Sequence, residues 1–224
     1  MTLNKQIGNM YGWVTHTYNI IKGRCPHNCD YCYVKRFPIG DLRFDEKCLN
    51  DDLGTGKTIF VGSSCDMWAD KIPVDWIASA LSICANFDNT YLFQTKNPWR
   101  FVDFWFRFPK KTILGATIES NRRYNLSEAP QVAERAEAMA SLSKTKEFKI
   151  MISVEPVLDF DVKKFSTMLR NIHPDFISIG ADSKKNNLPE PSKEKVEQLI
   201  SKLKEYGFDV KLKNNLKRII GAEE

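Results

Sequence analysis

Cys25-Pro26-His27-Asn28-Cys29-Asp30-Tyr31-Cys32-Tyr33 is the stretch that decides how this chain is read. Three cysteines stand in a CxxxCxxC spacing, with an aromatic residue immediately before the third. Thiols packed that densely on one short loop ask for a metal. Three thiolates hold three irons of a cubane cluster and leave the fourth iron without a protein ligand. An open coordination position marks a reactive centre, and zinc obeys the same rule. A structural zinc site needs four ligands, and here the fourth is His27 or Cys48. His27 sits between two of the cysteines, where reaching the same ion is awkward, and Cys48 has no partner at zinc-ribbon spacing. A disulfide needs an oxidising compartment, and nothing in the sequence indicates secretion.

Working outward, the 224 residues suit one domain, 1–224, ending in a short lysine-rich extension. A hydrophobic fraction of 42% is enough for a real core. No apolar run approaches a membrane span and no signal-peptide pattern opens the chain, so a cytoplasmic protein without membrane contact is expected. Cys48, Cys65 and Cys84 show no regular spacing, as in a reducing compartment. The formal charge of +5 allows nucleic acid as a partner without demanding it. Ten basic residues against five acidic ones lie between Lys184 and Arg218. They read either as a solvated face or as one wall of a groove that tracks phosphates.

Residues 13–21 predict a first strand leading into the cysteine loop, and 36–57 an irregular loop. Gly54-Thr55-Gly56-Lys57-Thr58 lacks the spacing of a phosphate loop and precedes a strand, so it is not a nucleotide site. Short apolar runs at 58–62, 91–95, 112–118, 148–154 and 176–180 predict five further strands. Helices are expected over Val74 to Phe87, Pro98 to Phe108, a stretch opening near Pro130, Val162 to Ile172, and a segment capped by Ser192 and stopped by Gly207. Phe208 to Leu212 adds a final extended segment. Strands rich in Ile and Val, each followed by a helix, predict a parallel sheet covered by helices. The period allows an incomplete barrel or an open doubly wound sheet. In both, ligands gather at the C-terminal ends of the strands.

Polar residues recur at those ends. They are Gly62, Ser63, Ser64, Cys65, Asp66 and Trp68 after the second strand, Gln94 and Lys96 after the third, and Thr117 and Glu119 after the fourth. Ser153 and Glu155 follow the fifth, and Gly180 and Asp182 the sixth. Five such ends point to a shared polar site around the cysteines.

The cysteine loop, with Tyr31 before its third cysteine, resembles the signature of the radical S-adenosylmethionine (SAM) superfamily. Asp66-Met67-Trp68, Gln94-Thr95-Lys96-Asn97-Pro98, Thr117-Ile118-Glu119-Ser120-Asn121, Ser153-Val154-Glu155-Pro156-Val157 and Ile179-Gly180-Ala181-Asp182-Ser183 follow in order. Together they look like a compact phage- and prokaryote-associated radical SAM family, distantly similar to spore photoproduct lyase, a DNA repair enzyme. The resemblance implies an α/β fold, a partial (β/α)6 TIM-like barrel of the radical SAM type. It implies a 4Fe–4S cluster on Cys25, Cys29 and Cys32, whose open iron chelates SAM. An electron donor such as flavodoxin or ferredoxin would reduce the cluster, and SAM would be cleaved to a 5′-deoxyadenosyl radical that takes hydrogen from a substrate.

In that picture Lys96 pairs with the SAM carboxylate, Glu119 accepts from the ribose hydroxyls, Gly62 lets the backbone approach, and Tyr31 packs by the adenine. Ser63, Ser64, Gln94, Thr117, Ser153, Glu155, Gly180 and Asp182 complete the cofactor side, with Ser63-Ser64 replacing the commoner glycine–glutamate pair. Cys65, Asp66, Trp68 and Lys213 fall to the substrate side, Lys213 standing where the family carries a lysine after its last strand. A nucleic acid or nucleotide is the expected substrate, with a peptide or small metabolite as the alternative. A non-catalytic protein that keeps an iron–sulfur or zinc site for stability is the reading from another class, and it predicts no SAM binding.

Overall fold

The computed structural model describes residues 3–6, 8, 10–184 and 186–221. The chain opens with β1 (Leu3–Lys5) and β2 (His16–Tyr18), then a small ladder of β3 (Ile21–Lys22) and β4 (Arg43–Phe44). Strands and helices then alternate: β5 (Thr58–Val61), α1 (Val74–Ala85), β6 (Thr90–Thr95), β7 (Thr112–Thr117), α2 (Val132–Ser143), β8 (Lys149–Val154), α3 (Val162–Ile172) and β9 (Phe176–Ile179). α4 (Lys193–Glu205), β10 (Asp209–Leu212) and α5 (Lys217–Ile220) complete the order.

The main sheet runs β1-β2-β5-β6-β7-β8-β9-β10. From β2 to β10 every neighbouring pair is parallel, and β1 adds to β2 antiparallel. β1 and β10 form its two edges. Of the two architectures the alternation allowed, this is the partial barrel that the resemblance implied, with the Phe208–Leu212 segment supplying a true parallel strand.

Successive strand residues point to opposite faces, and both faces here are apolar. Ile59, Val61, Tyr91, Phe93, Leu114, Ile150, Ile152, Ile177 and Ile179 join Ile77, Leu81, Met139, Leu142, Phe165, Leu169, Leu199 and Leu203 of the helices in one outer core. The alternate residues Leu92, Ile113, Met151 and Phe176 form a second cluster with Tyr11 and Val14. They line the N-terminal half of the lumen. The segment before β2 plugs it: Tyr11 stacks on Trp13 with centroids 5.5 Å apart, and Trp13 meets Phe176 edge-on at 5.3 Å. Burial on two faces is why the strands read as continuous hydrophobic runs.

Several expectations change. The strand expected over 13–21 is β2, which spans only His16–Tyr18, because Trp13 and Val14 belong to the plug. The 36–57 loop holds β4 and a 3-10 turn over Glu46–Asn50. The Pro98 segment is a 3-10 helix, Pro98–Arg107. The lysine-rich end is anchored by Leu216, which is fully buried. Trp68 is corrected from the substrate side to the outer core. It is 0% exposed and ringed by Phe93, Phe101, Phe104 and Phe108, with Phe101 4.8 Å away. Among the described residues no helix is long and apolar enough to cross a membrane.

Trp68→Ala should cost roughly 3–5 kcal/mol of unfolding free energy, because the ring leaves a cavity its neighbours cannot fill. Phe106, 97% exposed, should change stability by less than about 0.5 kcal/mol on the same truncation. Urea titrations of both variants check the pair, and equal midpoints would refute the packing role of Trp68.

Candidate active site at the C-terminal edge of the barrel

The cysteines sit in the excursion between β3 and β4, whose register pairs Ile21 with Phe44 and Lys22 with Arg43. The neck is narrow. A Cβ on Gly23 would fall 2.1 Å from the Asp41 carbonyl oxygen, and Gly23 has φ +100, so only glycine fits. Within the loop, Asn28 N–H donates to Cys25 O and Cys32 N–H to Cys29 O, both at 3.1 Å. Asn28 adopts φ 46, a left-handed turn that asparagine tolerates. Cys29 is buried, Cys25 and Cys32 are half-buried, and all three thiols are unbridged.

Two walls hold this loop. On one side Asp30 N–H donates to Leu126 O at 2.9 Å and Glu128 N–H to His27 O at 2.8 Å, both from the segment after β7. On the other, His27 Nε2 lies 3.0 Å from Asp66 Oδ2, an ion-pair contact without an aligned hydrogen bond. Burial pushes the His27 pKa down, but Asp66 and Cys25 outweigh it and the net shift is upward. Burial likewise works against the Asp66 carboxylate, and His27 with the backbone donors carries its pKa below the ordinary value. Asp66 also accepts from Thr95 Oγ1 at 2.9 Å, Lys96 N–H at 2.8 Å and Trp68 N–H at 3.0 Å. Asp66 is therefore corrected from a substrate residue to the pin between the cysteine loop and the ends of β5 and β6. Cys65 is 2% exposed and its thiol shares a hydrogen with the free Cys25 thiol, which lowers the Cys25 pKa and raises its own. It faces the cysteine loop.

A second set of charges lies against the loop. Glu119 is 4% exposed and accepts from the Tyr31 hydroxyl at 2.5 Å, from Lys96 Nζ, and from Arg135 Nη1 at 2.8 Å. Lys96 Nζ also lies 2.6 Å from the Tyr31 hydroxyl. Burial raises the Glu119 pKa, but the Lys96 and Arg135 charges dominate and hold it at about 2. Burial and the Glu119 charge push the Tyr31 phenol well above its ordinary range. Arg135 was missed in the sequence. It springs from the first turn of α2, is 4% exposed, and also donates to Thr117 O at 2.8 Å and Pro130 O at 2.7 Å. A signal existed, since Arg135 sits on the apolar stripe of Val132, Ala136, Met139 and Leu142.

Below these charges lies a neutral belt in the lumen. The Tyr11 hydroxyl bonds Gln94 Oε1 and Ser153 Oγ, each at 2.8 Å, and Gln94 Nε2 donates to Thr117 Oγ1 at 3.1 Å. Beside it, Lys213 Nζ donates to Glu155 Oε2 at 2.7 Å and stands 4.7 Å over the Tyr11 ring. Asn215 Nδ2 donates to Glu155 Oε1 at 3.1 Å. A Cβ on Gly180 would come 2.8 Å from Glu155 Oε1, so the glycine makes room for the carboxylate.

The other expected residues divide. Gly62, Ser63 and Ser64 turn at the end of β5, where Asn19 holds the Ser63 hydroxyl at 3.1 Å and the Ser64 N–H at 2.9 Å. Asp182 is corrected: its carboxylate binds Asn186 Nδ2 at 2.7 Å and Lys184 N–H at 3.1 Å, so it caps its own loop. The basic run does not form one wall either. Lys213 turns into the lumen, Lys211 pairs with Asp209 at 2.8 Å, Lys195 with Asp159 at 2.6 Å, and Arg218 with Glu190. Clefts of about 410 Å³ beside α4 and about 680 Å³ between α2 and α3 lie on the outer layer and include none of the cysteines.

No family model matches this chain, and no curated protein matches it significantly. Solved structures do. Spore photoproduct lyase complexed with dinucleoside spore photoproduct superposes with a TM-score of 0.62 at 12% identity, over 96% of this chain and 77% of that one. A variant of the lyase with bound AdoMet and dinucleoside spore photoproduct gives 0.60 at 11%, with the same coverage of 96% and 77%. The fold is shared with spore photoproduct lyase. At this identity the likeness to the lyase establishes the architecture, the partial barrel expected from the sequence.

Arg135→Met keeps the stem of the side chain and strips one partner from buried Glu119, which should destabilise by on the order of 3–5 kcal/mol. Because the Glu119 pKa falls from 4.5 to about 2 on folding, its charge stabilises fully above 4.5 and the contribution is lost as pH falls through about 2. Glu119→Gln should therefore flatten the stability profile across that window. An acid titration followed by circular dichroism in which both proteins lose stability in parallel would refute this.

Proposed function

We propose that this chain is a radical SAM enzyme with a nucleic acid or nucleotide substrate. The observation that carries the reading is the placement of three unbridged thiols on one loop at the C-terminal edge of the barrel, against the Tyr31–Lys96–Glu119–Arg135 cluster. The residues fit a 4Fe–4S cluster better than a caged ion. Neither candidate for a fourth zinc ligand is in place: His27 is turned onto Asp66, and Cys48 lies in the outer core. Among the described residues, no three His, Cys, Asp or Glu side chains converge to hold a metal ion. Thiolates of a cubane each bind a different iron, so they surround one cluster instead of meeting at a single ion.

Cys25, Cys29 and Cys32 would hold the cluster. When bound, cluster and SAM supply an electron transfer and a carbon radical that takes a hydrogen atom from the substrate. Lys96 would offer an ammonium to the SAM carboxylate in place of its ion pair with Glu119, and Glu119 would accept from the ribose hydroxyls through one oxygen while Arg135 keeps the other. Tyr31 meets both Glu119 and Lys96 through its hydroxyl and would pack by the adenine. Gly62, Ser63 and Ser64 complete the rim. Gln94, Thr117, Ser153, Gly180 and Glu155 would complete the cofactor side within the lumen, Lys213 would stand on the substrate side, and the apolar plug below them would keep water from the reacting atoms. A flavodoxin- or ferredoxin-like carrier in the cytoplasm would supply the electron this chemistry requires. The nucleotide substrate is supported by the shared fold with a lyase solved with a dinucleoside, an analogy at the level of the fold.

Anaerobic reconstitution should load one cluster, with its visible absorbance, and alanine at any of the three cysteines should abolish it. Stoichiometric zinc without iron would overturn the assignment. Lys96→Ala should keep the cluster and weaken SAM binding by roughly tenfold or more, since charge-assisted hydrogen bonds contribute about 1.5–3 kcal/mol. With SAM and a reductant, mass spectrometry should find 5′-deoxyadenosine and a product that depends on added nucleotide or polymer.

A further inference from the structure

Tyr33-Val34-Lys35-Arg36-Phe37 follows the third cysteine and sets two aromatic rings around two adjacent cations. Core packing does not explain the rings: Tyr33 is 43% exposed and Phe37 63%. Single exposed hydrophobics are ordinary on protein surfaces. Two large rings bracketing Lys35 and Arg36 within five residues are a patterned surface.

The geometry fixes this strip across the mouth of the barrel. Tyr33–Arg36 is a 3-10 helix, so Tyr33 and Arg36, three residues apart, share a face. The Tyr33 hydroxyl donates to Ser63 O at 3.1 Å, in the loop after β5. Arg36 Nη2 donates to Lys184 O at 2.7 Å, in the loop after β9. Lys35 Nζ donates to Asn28 O at 3.2 Å, back within the cysteine loop. Phe37 continues in extended backbone, φ −110 and ψ 157, just past the helix. A guanidinium has five N–H donors, so Arg36 keeps capacity for a phosphate while anchored through Nη2. The surroundings are basic: residues 24–43 carry Arg24, Lys35, Arg36 and Arg43 against Asp30 and Asp41.

We propose that Tyr33–Phe37 is a docking strip for single-stranded nucleic acid, with bases stacked on Phe37 and Tyr33 and phosphates held by Arg36 and Lys35. This rests on the nucleic-acid reading above and narrows it to a strand with unpaired bases. Ring stacking is open only to bases released from a duplex, and it tolerates any sequence because every base has a π-face. Cations beside the rings track the backbone between stacked bases. A strand lying there passes directly over the cysteine loop, so a nucleotide next to the stacked ones is delivered to the lumen.

The test is fluorescence anisotropy with a labelled oligothymidylate of roughly 12 nucleotides, within the site size of single-strand grooves, and with its duplex. The reconstituted full chain, Phe37→Ala, Phe37→Tyr and Arg36→Ala are compared at several salt concentrations. The full chain should prefer the single strand. Phe37→Ala should weaken binding by roughly tenfold, and Phe37→Tyr should restore it. Arg36→Ala should lower the slope of log affinity against log salt by about 0.7, one phosphate contact fewer. Iron content and circular dichroism should stay at the parent level. If the full chain binds the strand and Phe37→Ala binds equally well, the docking strip is refuted and the substrate reading stands. Equal affinity for the duplex also refutes stacking. If the full chain binds neither polymer, the strip is refuted, and product formation from free nucleotides decides whether the substrate reading survives.

Discussion

The buried Glu119 carboxylate is the interaction on which the rest of the site depends. A charge taken out of water is costly unless it is paired and hydrogen-bonded. Glu119 therefore demands partners, and it draws them from three separate parts of the chain. Tyr31 comes from the cysteine loop, Lys96 from the end of β6, and Arg135 from the first turn of α2. Remove any one and a buried charge is left short. The cost of that failure sets the cysteine loop, the sheet and the outer helical layer in one arrangement.

Asp66 does the same on the opposite side of the loop. Its oxygens are taken by His27, Thr95 and two backbone N–H groups, so the β5 and β6 ends and the cysteine loop share one anchor. The loop carries only short local hydrogen bonds of its own, too few to hold three thiols in place. Two carboxylates, Glu119 buried and Asp66 partly buried, supply the missing constraint from outside. Between them the lumen grades from the apolar plug at Tyr11 and Trp13, through the neutral belt of Gln94, Thr117 and Ser153, to charge at the open end. That gradient leaves the polar groups at the end where a ligand enters and keeps the bottom of the barrel dry.

Much of this was legible in the chain because it is local. Cysteine spacing is fixed within eight residues and survives any fold. The β7 to β9 runs are buried on both faces, so their hydrophobicity shows without any pairing partner. The roles at strand ends were less legible. Asp66, Asp182 and Glu119 look alike in sequence, since each is an acidic residue just past an apolar strand. The first pins a histidine, the second caps its own loop, and the third joins two cations. Trp68 stands two residues from Asp66, yet it packs into the outer core while Asp66 meets the cysteine loop. Lys211 and Lys213 look like neighbours in one basic patch, and only Lys213 reaches Glu155.

The sequence by itself determined the thiol triplet, the alternation of strands and helices, and the end of the sheet at which polar groups collect. These follow from covalent spacing and from hydrophobic period, which need no knowledge of distant contacts. The tertiary structure alone decided that residues 10–14 plug the lumen, that Arg135 secures Glu119 from across α2, and that Asp66 serves the loop. Each is a contact between residues far apart in the chain. The desolvation of a carboxylate or an aromatic ring is set by what the fold brings against it, and that is known only once the sheet has closed around its lumen.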